Sequence, residues 1–484
     1  MADTSSTSDP TRRIGVVIVG NVDAGKSSLS GRLIYDLGGI DERAKERLEA
    51  EAELNGKKGF GFAYFMDTGA EERKRGITIN CQTSNFSTDR YDYTLTDAPG
   101  HSDFITNMIT GAGQADVAVV LIPADGNFEA SIAKPDNLSA GGQTRQHTIL
   151  CNLVGIKQVV VCVNKMDAAV GGAYGEDRFN EIVDEMKLVL QEAGYHPDTV
   201  PFIPLSGLQG ENLVTRSENM PWYNGWTGRV DYDVKRKKKG VEIVGGTEVT
   251  GFTLYEALND YMQHPIRDTE GPLHISVSDC RSIPGVGLVT MGRVEQGTVR
   301  KDDVVRLARV GLEGKVFSIE MHHQTVDAGV AGFNVGMVVK FPKGTKPKAV
   351  KRGDLLFRPS DYADTPELMP RPVKSFRAMV RVQNHPGELK VGFCPQMCVR
   401  TGRCASRISQ IHWVMGKRTQ GQKLEDPEFV KKHEMAEITF EPQGFLYLEP
   451  FSRSEPYGRV AGMESKTLVF MGKIEDVEYA DPKK

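Results

Sequence analysis

A glycine-rich turn near the start of the chain carries the first residues whose types and spacing could do chemistry. Residues 20–27 read GNVDAGKS, which fits G-x-x-x-x-G-K-[ST] between an apolar run and a helical pattern. Backbone N–H groups of such a turn surround phosphate oxygens, and the N-terminus of the following helix favours anions. We expect Lys26 to reach the β- and γ-phosphates and Ser27 to ligate Mg²⁺. A turn without a ligand is the alternative. The nucleotide-binding residues predicted here are Gly20, Asn21, Val22, Asp23, Ala24, Gly25, Lys26, Ser27 and Ser28.

Two further segments carry groups that suit the phosphate end of a nucleotide. Asp97-Ala-Pro-Gly100-His101 follows the apolar run Tyr91–Thr96. A carboxylate at the end of a strand can hold a magnesium-bound water, and Gly100 lets a backbone N–H approach the γ-phosphate. Thr78, in RGITI at 75–79, offers a second hydroxyl when a γ-phosphate orders that loop, with a strand-surface residue as the alternative. The predicted metal ligands are Ser27, Thr78 and, through a water, Asp97.

A third group of residues suits recognition of a base. The sequence NKMD at 164–167 follows the apolar run Val159–Val163. Asp167 can accept hydrogen bonds from guanine N1–H and the exocyclic amine, which adenine does not offer in that arrangement. The stem of Lys165 can cover the base, and Asn164 can tie neighbouring loops together. Backbone donors toward guanine O6 are expected from Ser206, Gly207 and Leu208. The four motifs in this order predict a GTP site.

One histidine stands where hydrolysis of GTP would need it. Phosphoryl transfer to water requires a residue that orients the nucleophile. His101 lies immediately beyond Gly100, so we predict a catalytic role, with a purely structural hydrogen bond as the alternative. The sequence shows no evident arginine finger in cis, so intrinsic turnover should be slow and should depend on a partner.

Composition restricts the class of protein. The chain has 484 residues, 39% hydrophobic and 26% charged, so it can bury several cores and is not disordered. It contains no run of about 18 apolar residues, which predicts no membrane span. Residues 1–11 lack the apolar region of a signal peptide and are predicted to be a flexible tail. Seven cysteines, mostly in apolar runs, favour a reducing compartment, so a soluble cytosolic protein is expected.

The elements that must position these groups follow two patterns. In the first half, apolar strands alternate with helices, which predicts a doubly wound, parallel-sheet α/β P-loop GTPase domain over residues 12–262. The predicted strands are Arg13–Val19, Tyr91–Thr96, Val117–Ile122 and Val159–Val163. The predicted helices are Ser27–Leu37, Asp41–Leu54 with Asp41 as N-cap, Arg178–Ala193 and Phe252–Met262.

In the second half, short β-rich runs recur from Leu273 onward and are broken by Gly, Pro and Asp. A spacing of about 8–12 residues between such runs is typical of small antiparallel barrels. Linkers are predicted at Gln263–Gly271 and at residues 361–372. We therefore predict two antiparallel β-barrel domains, at 272–360 and at 373–481.

The charge is unevenly distributed. Residues 371–420 hold ten Lys or Arg and one acid, Glu388, which favours a polyanionic partner over a merely solvated face. The run KRKKK at 235–239 is predicted to be an exposed loop, with nucleic-acid contact as the alternative. Cys394, Cys398 and Cys404 are close in sequence but form no paired C-x-x-C, so we interpret them as core thiols and not as metal ligands.

Several of these segments resemble translation elongation factor 1-alpha. They are RGITI at 75–79, DAPGHSDFITNMITGAGQAD at 97–116, GGQTRQH at 141–147, NKMD at 164–167, YHPDTVPFIPLSG at 195–207 and NMPWYNGW at 219–226. Residues 314–328, 388–409 and 422–443 resemble the elongation factor-like variant found in scattered eukaryotes in place of the ordinary factor. The resemblance covers residues 12 to about 479 and implies a GTPase domain with two β-barrels. It also implies ribosome-stimulated GTP hydrolysis, GTP-dependent delivery of aminoacyl-tRNA to the ribosomal A site, and an unidentified exchange factor.

The resemblance further implies roles for single residues. Val22 and Ile77 match the apolar pair that gates water near the catalytic histidine, which maps to His101. The implied tRNA-binding residues are Asn107, Asp279, Asn334 and Arg352, joined by Arg400, Arg403 and Arg407 in the basic third domain. Two alternatives stay open. One is a termination or ribosome-rescue GTPase that carries a protein tRNA mimic, and the other is a non-enzymatic module that binds the cytoskeleton or mRNA.

Overall fold

The computed structural model divides the chain into two compact units. The first comprises Met1–Asn152 with Ile156–Pro265, and the second Leu153–Gly155 with Ile266–Lys484. The structure describes residues 12–56, 59–75, 77–79, 81–101, 104–134, 141–236, 241–283, 285–321, 324–342, 349–383, 385, 387–465 and 467–480. The predicted tail at 1–11 therefore lies outside the described residues. No helix in the described ranges is both long and apolar enough to cross a membrane.

A six-stranded sheet forms the centre of the first unit. Its strands are β1 (Arg13–Gly20), β2 (Gln82–Ser87), β3 (Asp92–Asp97), β4 (Val117–Pro123), β5 (Gln158–Asn164) and β6 (Phe202–Pro204), in the order β2-β3-β1-β4-β5-β6. All neighbours are parallel except β2, which pairs antiparallel with β3 at the edge. Every residue of β4 is buried, so both faces of the sheet are covered. The predicted α/β class is confirmed.

Helices flank these strands. They are α1 (Lys26–Asp36), α2 (Glu42–Leu54), α3 (Gly61–Met66), α4 (Ala70–Arg75), α5 (Ile105–Gly113), α6 (Phe128–Ile132), α7 (Gln143–Leu153), α8 (Glu176–Ala193) and α9 (Leu254–Glu256). Asp41 caps α2 as predicted, because its carboxylate accepts a hydrogen bond from the Ala44 N–H at 2.6 Å. The predicted helix at Phe252–Met262 is shorter, with α9 followed by a π-helical turn at Ala257–Tyr261.

A two-stranded ribbon was not predicted. It consists of β7 (Trp226–Arg236) and β8 (Val241–Gly251), paired antiparallel. Its base is anchored by Trp226, which is buried against Tyr261 with ring centroids 6.2 Å apart. The prediction of a loop at 235–239 was therefore wrong for Lys235 and Arg236, which belong to β7. The three lysines at 237–239 lie outside the described residues, and nucleic-acid contact by this run stays a prediction.

The second unit contains two closed barrels, in agreement with the predicted fold. The first is built from β9 (His274–Ile283), β10 (Gly287–Gln296), β11 (Thr298–Arg300), β12 (Val304–Leu307), β13 (Glu313–Met321), β14 (Gln324–Val326), β15 (Ala328–Val330), β16 (Asn334–Lys340) and β17 (Leu355–Phe357). The order β12-β17-β9-β10-β16-β13 closes through pairing of β12 with β13, which leaves these strands no open edge. Its interior is apolar, with residues such as Ile275, Val277 and Ile319 fully buried.

The second barrel repeats this closure. Its strands are β18 (Val373–Val382), β19 (Leu389–Lys390), β20 (Gln396–Val399), β21 (Gly402–Met415), β22 (Leu424–Glu425), β23 (Phe429–Val430), β24 (Met435–Pro442), β25 (Arg459–Glu464) and β26 (Thr467–Tyr479). The ring β20-β25-β26-β18-β24-β21 closes by pairing β20 with β21. Phe376, Phe440 and Phe470 stack in its core, with successive centroids 5.3 and 5.5 Å apart.

Candidate nucleotide-binding site

The turn between β1 and α1 has a geometry that requires glycine at two positions. A Cβ atom on Gly20 would lie 2.3 Å from the Leu121 carbonyl oxygen, and one on Gly25 would lie 2.5 Å from Asn164 Nδ2. Gly25 also has a φ of 89°, in the left-handed region that favours glycine. The turn therefore packs tightly against the ends of β4 and β5 and leads directly into the N-terminus of α1 at Lys26.

Lys26 and Asp97 form the charged centre of the site. Lys26 is buried and donates a hydrogen bond to the Asn21 carbonyl at 2.8 Å, and burial lowers its pKa. Burial also raises the pKa of Asp97 to about 7, although the charge of Lys26 and the Ser27 hydroxyl oppose this shift. Neither carboxylate oxygen of Asp97 has a well-formed hydrogen bond within the described residues. A buried carboxylate with so few hydrogen bonds is costly unless a ligand uses it.

Hydroxyl groups complete an oxygen-rich corner beside Asp97. The Oγ atom of Ser27 and the Oγ1 atom of Thr78 lie 3.0 Å apart, and Thr78 donates to Asp67 Oδ1 at 2.9 Å. Hydroxyl and carboxylate oxygens are the donors that Mg²⁺ prefers, so these residues fit the predicted metal. Asp67 was missed in the sequence because it follows α3 outside any motif, and only the fold brings it to Thr78.

The predicted catalytic residues share one pocket. Val22, Ile77 and His101 line it together with Ser27 and Thr78. The pocket is also lined by residues that the sequence did not single out, namely Phe60, Ala63 and Asp67. The fold thus brings three separate motifs, at 20–27, 75–79 and 97–101, to the phosphate end of one site.

The base end is organised by Asn164. Its amide donates to the Ala24 carbonyl at 2.8 Å and its oxygen accepts from the Gly207 N–H at 2.8 Å, so one side chain joins the phosphate turn to the loop after β6. Ser206 is buried, and its hydroxyl accepts from the Gln209 N–H at 3.1 Å. Asp167 lies half-buried in the 3₁₀ turn at Met166–Ala168. Half-exposed Leu208 receives a hydrogen bond on its carbonyl from Arg32.

Helix α7 supports the phosphate turn from a segment that carries none of the predicted site residues. The Thr144 hydroxyl accepts a hydrogen bond from the Asn21 N–H at 3.0 Å. His147 is fully buried nearby, and burial together with the positive charge of Lys26 lowers its pKa to about 3. It is therefore a neutral histidine at physiological pH, and it adds no charge behind the turn.

The residues expected to hold the aminoacyl end lie on the two strands that pair with β10 in the first barrel. Asp279 of β9 is opposite Met291, and Asn334 of β16 is opposite Arg293, so they flank β10 two residues apart. Asp279 pairs with Arg281 at 2.8 Å. Asn334 Oδ1 is buried and has no hydrogen-bond partner within the described residues, which suits a site that receives a ligand donor.

The other expected tRNA contacts are scattered. Arg352 is exposed in the turn before β17. Asn107 of α5 donates to the Ile79 carbonyl at 3.0 Å, so its amide holds the loop of Thr78. Arg407 is exposed and pairs with Glu441 at 2.7 Å, whereas Arg403 is half-buried.

The prediction for Arg400 was wrong. Arg400 pairs with Glu295 of the first barrel, with Nε 2.9 Å from Oε1, and the two side chains are only 10% and 5% exposed. The arginine therefore joins the two barrels and does not present its charge to a nucleic acid. A charge count cannot reveal such a pair, because Glu295 is far from Arg400 in sequence.

Two of the three cysteines that were interpreted as core thiols are buried, and the third is not. Cys398 and Cys404 are buried, and burial raises the pKa of Cys398 to about 11. Cys394 is exposed, so interpreting it as a core thiol was wrong, because it precedes β20 at an outward-facing position. No group of three or more His, Cys, Asp or Glu in the described part of the chain is placed to hold a metal.

Comparisons with known proteins agree with this architecture. The elongation factor Tu GTP binding domain family matches residues 11–264, elongation factor Tu domain 2 matches 287–357, and the GTP-eEF1A C-terminal domain-like family matches 375–475. Elongation factor 1-alpha of Saccharomyces cerevisiae is 40% identical over 470 residues, covering 97% of this chain and 95% of that protein. Elongation factor 1-alpha-A of Schizosaccharomyces pombe is 40% identical over 471 residues, with the same coverage.

Solved structures share the fold. The GTPase-like domain of S. cerevisiae Ski7 bound to GTP has a TM-score of 0.73 at 15% identity, covering 96% of this chain and 97% of that one. Elongation factor SelB from Methanococcus maripaludis, in complex with a GTP analogue, has a TM-score of 0.61 at 20% identity, covering 98% and 81%.

Fold and site together define a translation-factor GTPase. The chain belongs to the family of elongation factor Tu and elongation factor 1-alpha, whose first domain binds GTP and GDP. The narrower resemblance to the elongation factor-like variant stays a prediction.

Proposed function

We propose that this protein carries aminoacyl-tRNA to the ribosomal A site in its GTP form and leaves after GTP hydrolysis. The observation that supports this most strongly is the 40% identity to elongation factor 1-alpha along 97% of the chain, because it includes both barrels as well as the GTPase domain. The proposal requires Mg²⁺, tRNA, the ribosome and a nucleotide exchange factor as partners, and it places the protein in the cytoplasm.

In this proposal the first domain holds the phosphates and the metal with its own oxygen and nitrogen groups. Lys26 and the N–H groups at the start of α1 bind phosphate oxygens. Ser27, Thr78 and the buried Asp97 carboxylate supply the oxygens for Mg²⁺, with Asp97 acting through a water. When bound, Mg²⁺ neutralises charge on the β- and γ-phosphates.

The hydrolytic step is assigned to His101. It lines the phosphate pocket with Val22 and Ile77, so a water beside the γ-phosphate would meet both apolar side chains and the imidazole. We propose that the two apolar side chains restrict entry of water and that His101 orients the attacking water. Hydrolysis would depend on the ribosome if docking of the protein on the ribosome brings His101 to the position from which it orients the water.

The aminoacyl end is assigned to the first barrel. The buried Oδ1 of Asn334 is an acceptor without a partner in the described structure, and an α-amino group offers the N–H that it lacks. Asp279, on β9 at the other side of β10, is proposed to add a carboxylate for the same positively charged group. Arg352 is proposed to contact the 5′ end of the acceptor stem.

Protection of the aminoacyl ester tests the proposal. Full-length protein loaded with a non-hydrolysable GTP analogue should slow hydrolysis of charged tRNA, and the GDP form should protect weakly. Asn334→Ala should weaken protection about tenfold, because the α-amino group loses its acceptor. Gln324→Ala, an exposed amide on β14 of the same barrel, is the matched control and should match the wild type.

Two experimental outcomes would argue against delivery of aminoacyl-tRNA. Equal protection by the GTP and GDP forms would contradict tRNA delivery. Nucleotide-dependent binding of a protein that mimics tRNA, without binding of charged tRNA, would instead establish the termination or rescue alternative.

A further inference from the structure

We infer that Asp125 is a positioning residue of the guanine end: its carboxylate fixes the side chain of Lys165 where that side chain meets the base. The inference rests on the proposed contact between Lys165 and guanine. It adds a residue from the loop after β4, which is not part of any motif identified in the sequence.

The observation that carries the inference is an ion pair between two loops. Lys165 Nζ lies 2.9 Å from Asp125 Oδ2, and the two side chains are 30% and 21% exposed. Both residues follow neighbouring parallel strands, since Pro123 of β4 pairs with Asn164 of β5 and the Ala124 N–H donates to the Asn164 carbonyl at 2.8 Å. The pair therefore sits at the carboxyl edge of the sheet, where ligands of such sheets bind.

Lys165 needs such a partner because of its length and its backbone. Its φ of 60° is in the left-handed region, which turns the chain sharply between β5 and the turn that carries Asp167. A lysine side chain has several rotatable bonds, so fixing it in one position costs conformational entropy. An ion pair that holds the ammonium group in the unbound protein removes part of that cost from nucleotide binding.

Asp125 is itself held in place. The Asn127 N–H donates to Asp125 Oδ1 at 3.0 Å, and Arg178 donates to the carbonyl oxygens of Asp125 and Ala124, both at 3.2 Å. Arg178 is buried in the first turn of α8, with its guanidinium 4.9 Å from the centre of the Phe128 ring. Partial burial raises the pKa of Asp125, but hydrogen bonds from Lys165 and Asn127 outweigh it, so the carboxyl pKa is lowered and the group is charged at neutral pH.

Dissociation of fluorescently labelled GDP from the full-length protein tests the inference. Asp125→Asn should raise the dissociation rate constant about fivefold, because the amide no longer holds the ammonium group by charge. Lys165→Met keeps the apolar stem and removes the ammonium, so it should raise the rate by a similar factor. Since both changes break the same pair, the double variant should be no faster than the faster single variant.

Two controls separate positioning from general damage. Asp184→Asn breaks an exposed pair with Lys187 in α8, 3.3 Å apart, and should leave the rate at the wild-type value. Competition by inorganic tripolyphosphate, which has no base, should be unchanged in every variant because it contacts only the phosphate turn. A merely structural role for Asp125 would weaken GDP and tripolyphosphate alike and would overturn the inference.

Further outcomes distinguish the positioning role of Asp125 from the contact between Lys165 and the base. Wild-type rates for Lys165→Met, or additive effects in the double variant, would overturn the role of Asp125. Lys165→Ala at the wild-type rate would overturn the base contact itself. Faster release with Lys165→Ala but not with Asp125→Asn would preserve the base contact and reject the positioning residue. If Asp125→Asn does not fold, the Lys165→Met rate alone decides.

Discussion

At the scale of single residues, two carboxylates of the nucleotide domain differ in pKa because their surroundings differ. Asp97 is fully buried, and its pKa rises to about 7. Asp125 accepts hydrogen bonds from Lys165 and Asn127, and its pKa falls. A cation bound beside Asp97 would stabilise its ionised form, whereas Asp125 already has the ammonium group of Lys165 beside it. Sequence motifs identify Asp97 but give no indication of Asp125, because the partner of Asp125 is supplied by the fold.

Base selection depends on Asp167. Asp167→Asn should lower affinity for GDP at least about tenfold and raise affinity for xanthosine diphosphate, because an amide donates to the xanthine 2-oxo group where the carboxylate accepts from the guanine amine. Competition binding with both nucleotides measures the change. Asp233→Asn, an exposed position on β7, is the control. Unchanged GDP affinity without a gain for the xanthine nucleotide would reject the base assignment.

Hydrolysis depends on His101. His101→Ala should leave binding of GTP and tRNA near the wild-type level but slow ribosome-stimulated hydrolysis at least about 10²-fold, the range expected when a positioning or general catalyst is removed. Single-turnover hydrolysis on programmed ribosomes provides the measurement. A wild-type rate there would remove His101 from the mechanism.

At the scale of elements, one cap can be tested in isolation. Asp41→Ala should cost about 1 kcal/mol at the N-terminus of α2, because the Ala44 N–H loses its acceptor. Hydrogen exchange of amides in the first turn should become about fivefold faster, as that free energy implies. Glu46→Ala, an exposed residue of the same helix, should leave those amides unchanged. Equal exchange in both variants would contradict the capping role.

The elements that the sequence predicted share a physical cause, and so do those it missed. Strands β1, β4 and β5 are continuous apolar runs because both faces of the sheet are covered. Strand β2 reads QTSNFS and buries only Phe86, so its pairing depends on β3 and not on its own pattern. The ribbon of β7 and β8 is polar along most of its length and is anchored by tertiary packing of Trp226. Apolar patterns thus predict central strands well and edge strands poorly.

At the scale of the whole second unit, breaking the ion pair between the barrels has a cost. Arg400→Gln would remove the nearer arginine partner of the buried Glu295 carboxylate, which keeps Arg293 Nε at 3.9 Å and the Ser276 hydroxyl at 2.7 Å. Removing one partner of a buried pair typically costs about 3–5 kcal/mol. We expect the thermal unfolding midpoint of the full-length protein to fall by several degrees. Arg407 pairs with Glu441, and the two side chains are 55% and 39% exposed, so Arg407→Gln should barely change the unfolding midpoint. Equal midpoints for the two variants would contradict the distinction between a buried and an exposed pair.

Whether an arginine is held in a buried or an exposed ion pair also decides how the basic third domain should respond to salt. Removing one cationic side chain that binds a phosphate weakens binding of all sequences alike and flattens the plot of log K against log salt by about 0.7–0.9. Neutralising Arg403 and Arg407 together should therefore weaken every aminoacyl-tRNA and reduce the slope, with GDP affinity unchanged because that site belongs to the first unit. Neutralising Arg400 should leave the slope unaltered, since its charge is already paired with Glu295. If the Arg403 and Arg407 double variant folds and keeps the wild-type tRNA affinity and salt slope, this stretch is a solvated face. If Arg400→Gln reduces the slope, the pair between Arg400 and Glu295 opens when tRNA binds.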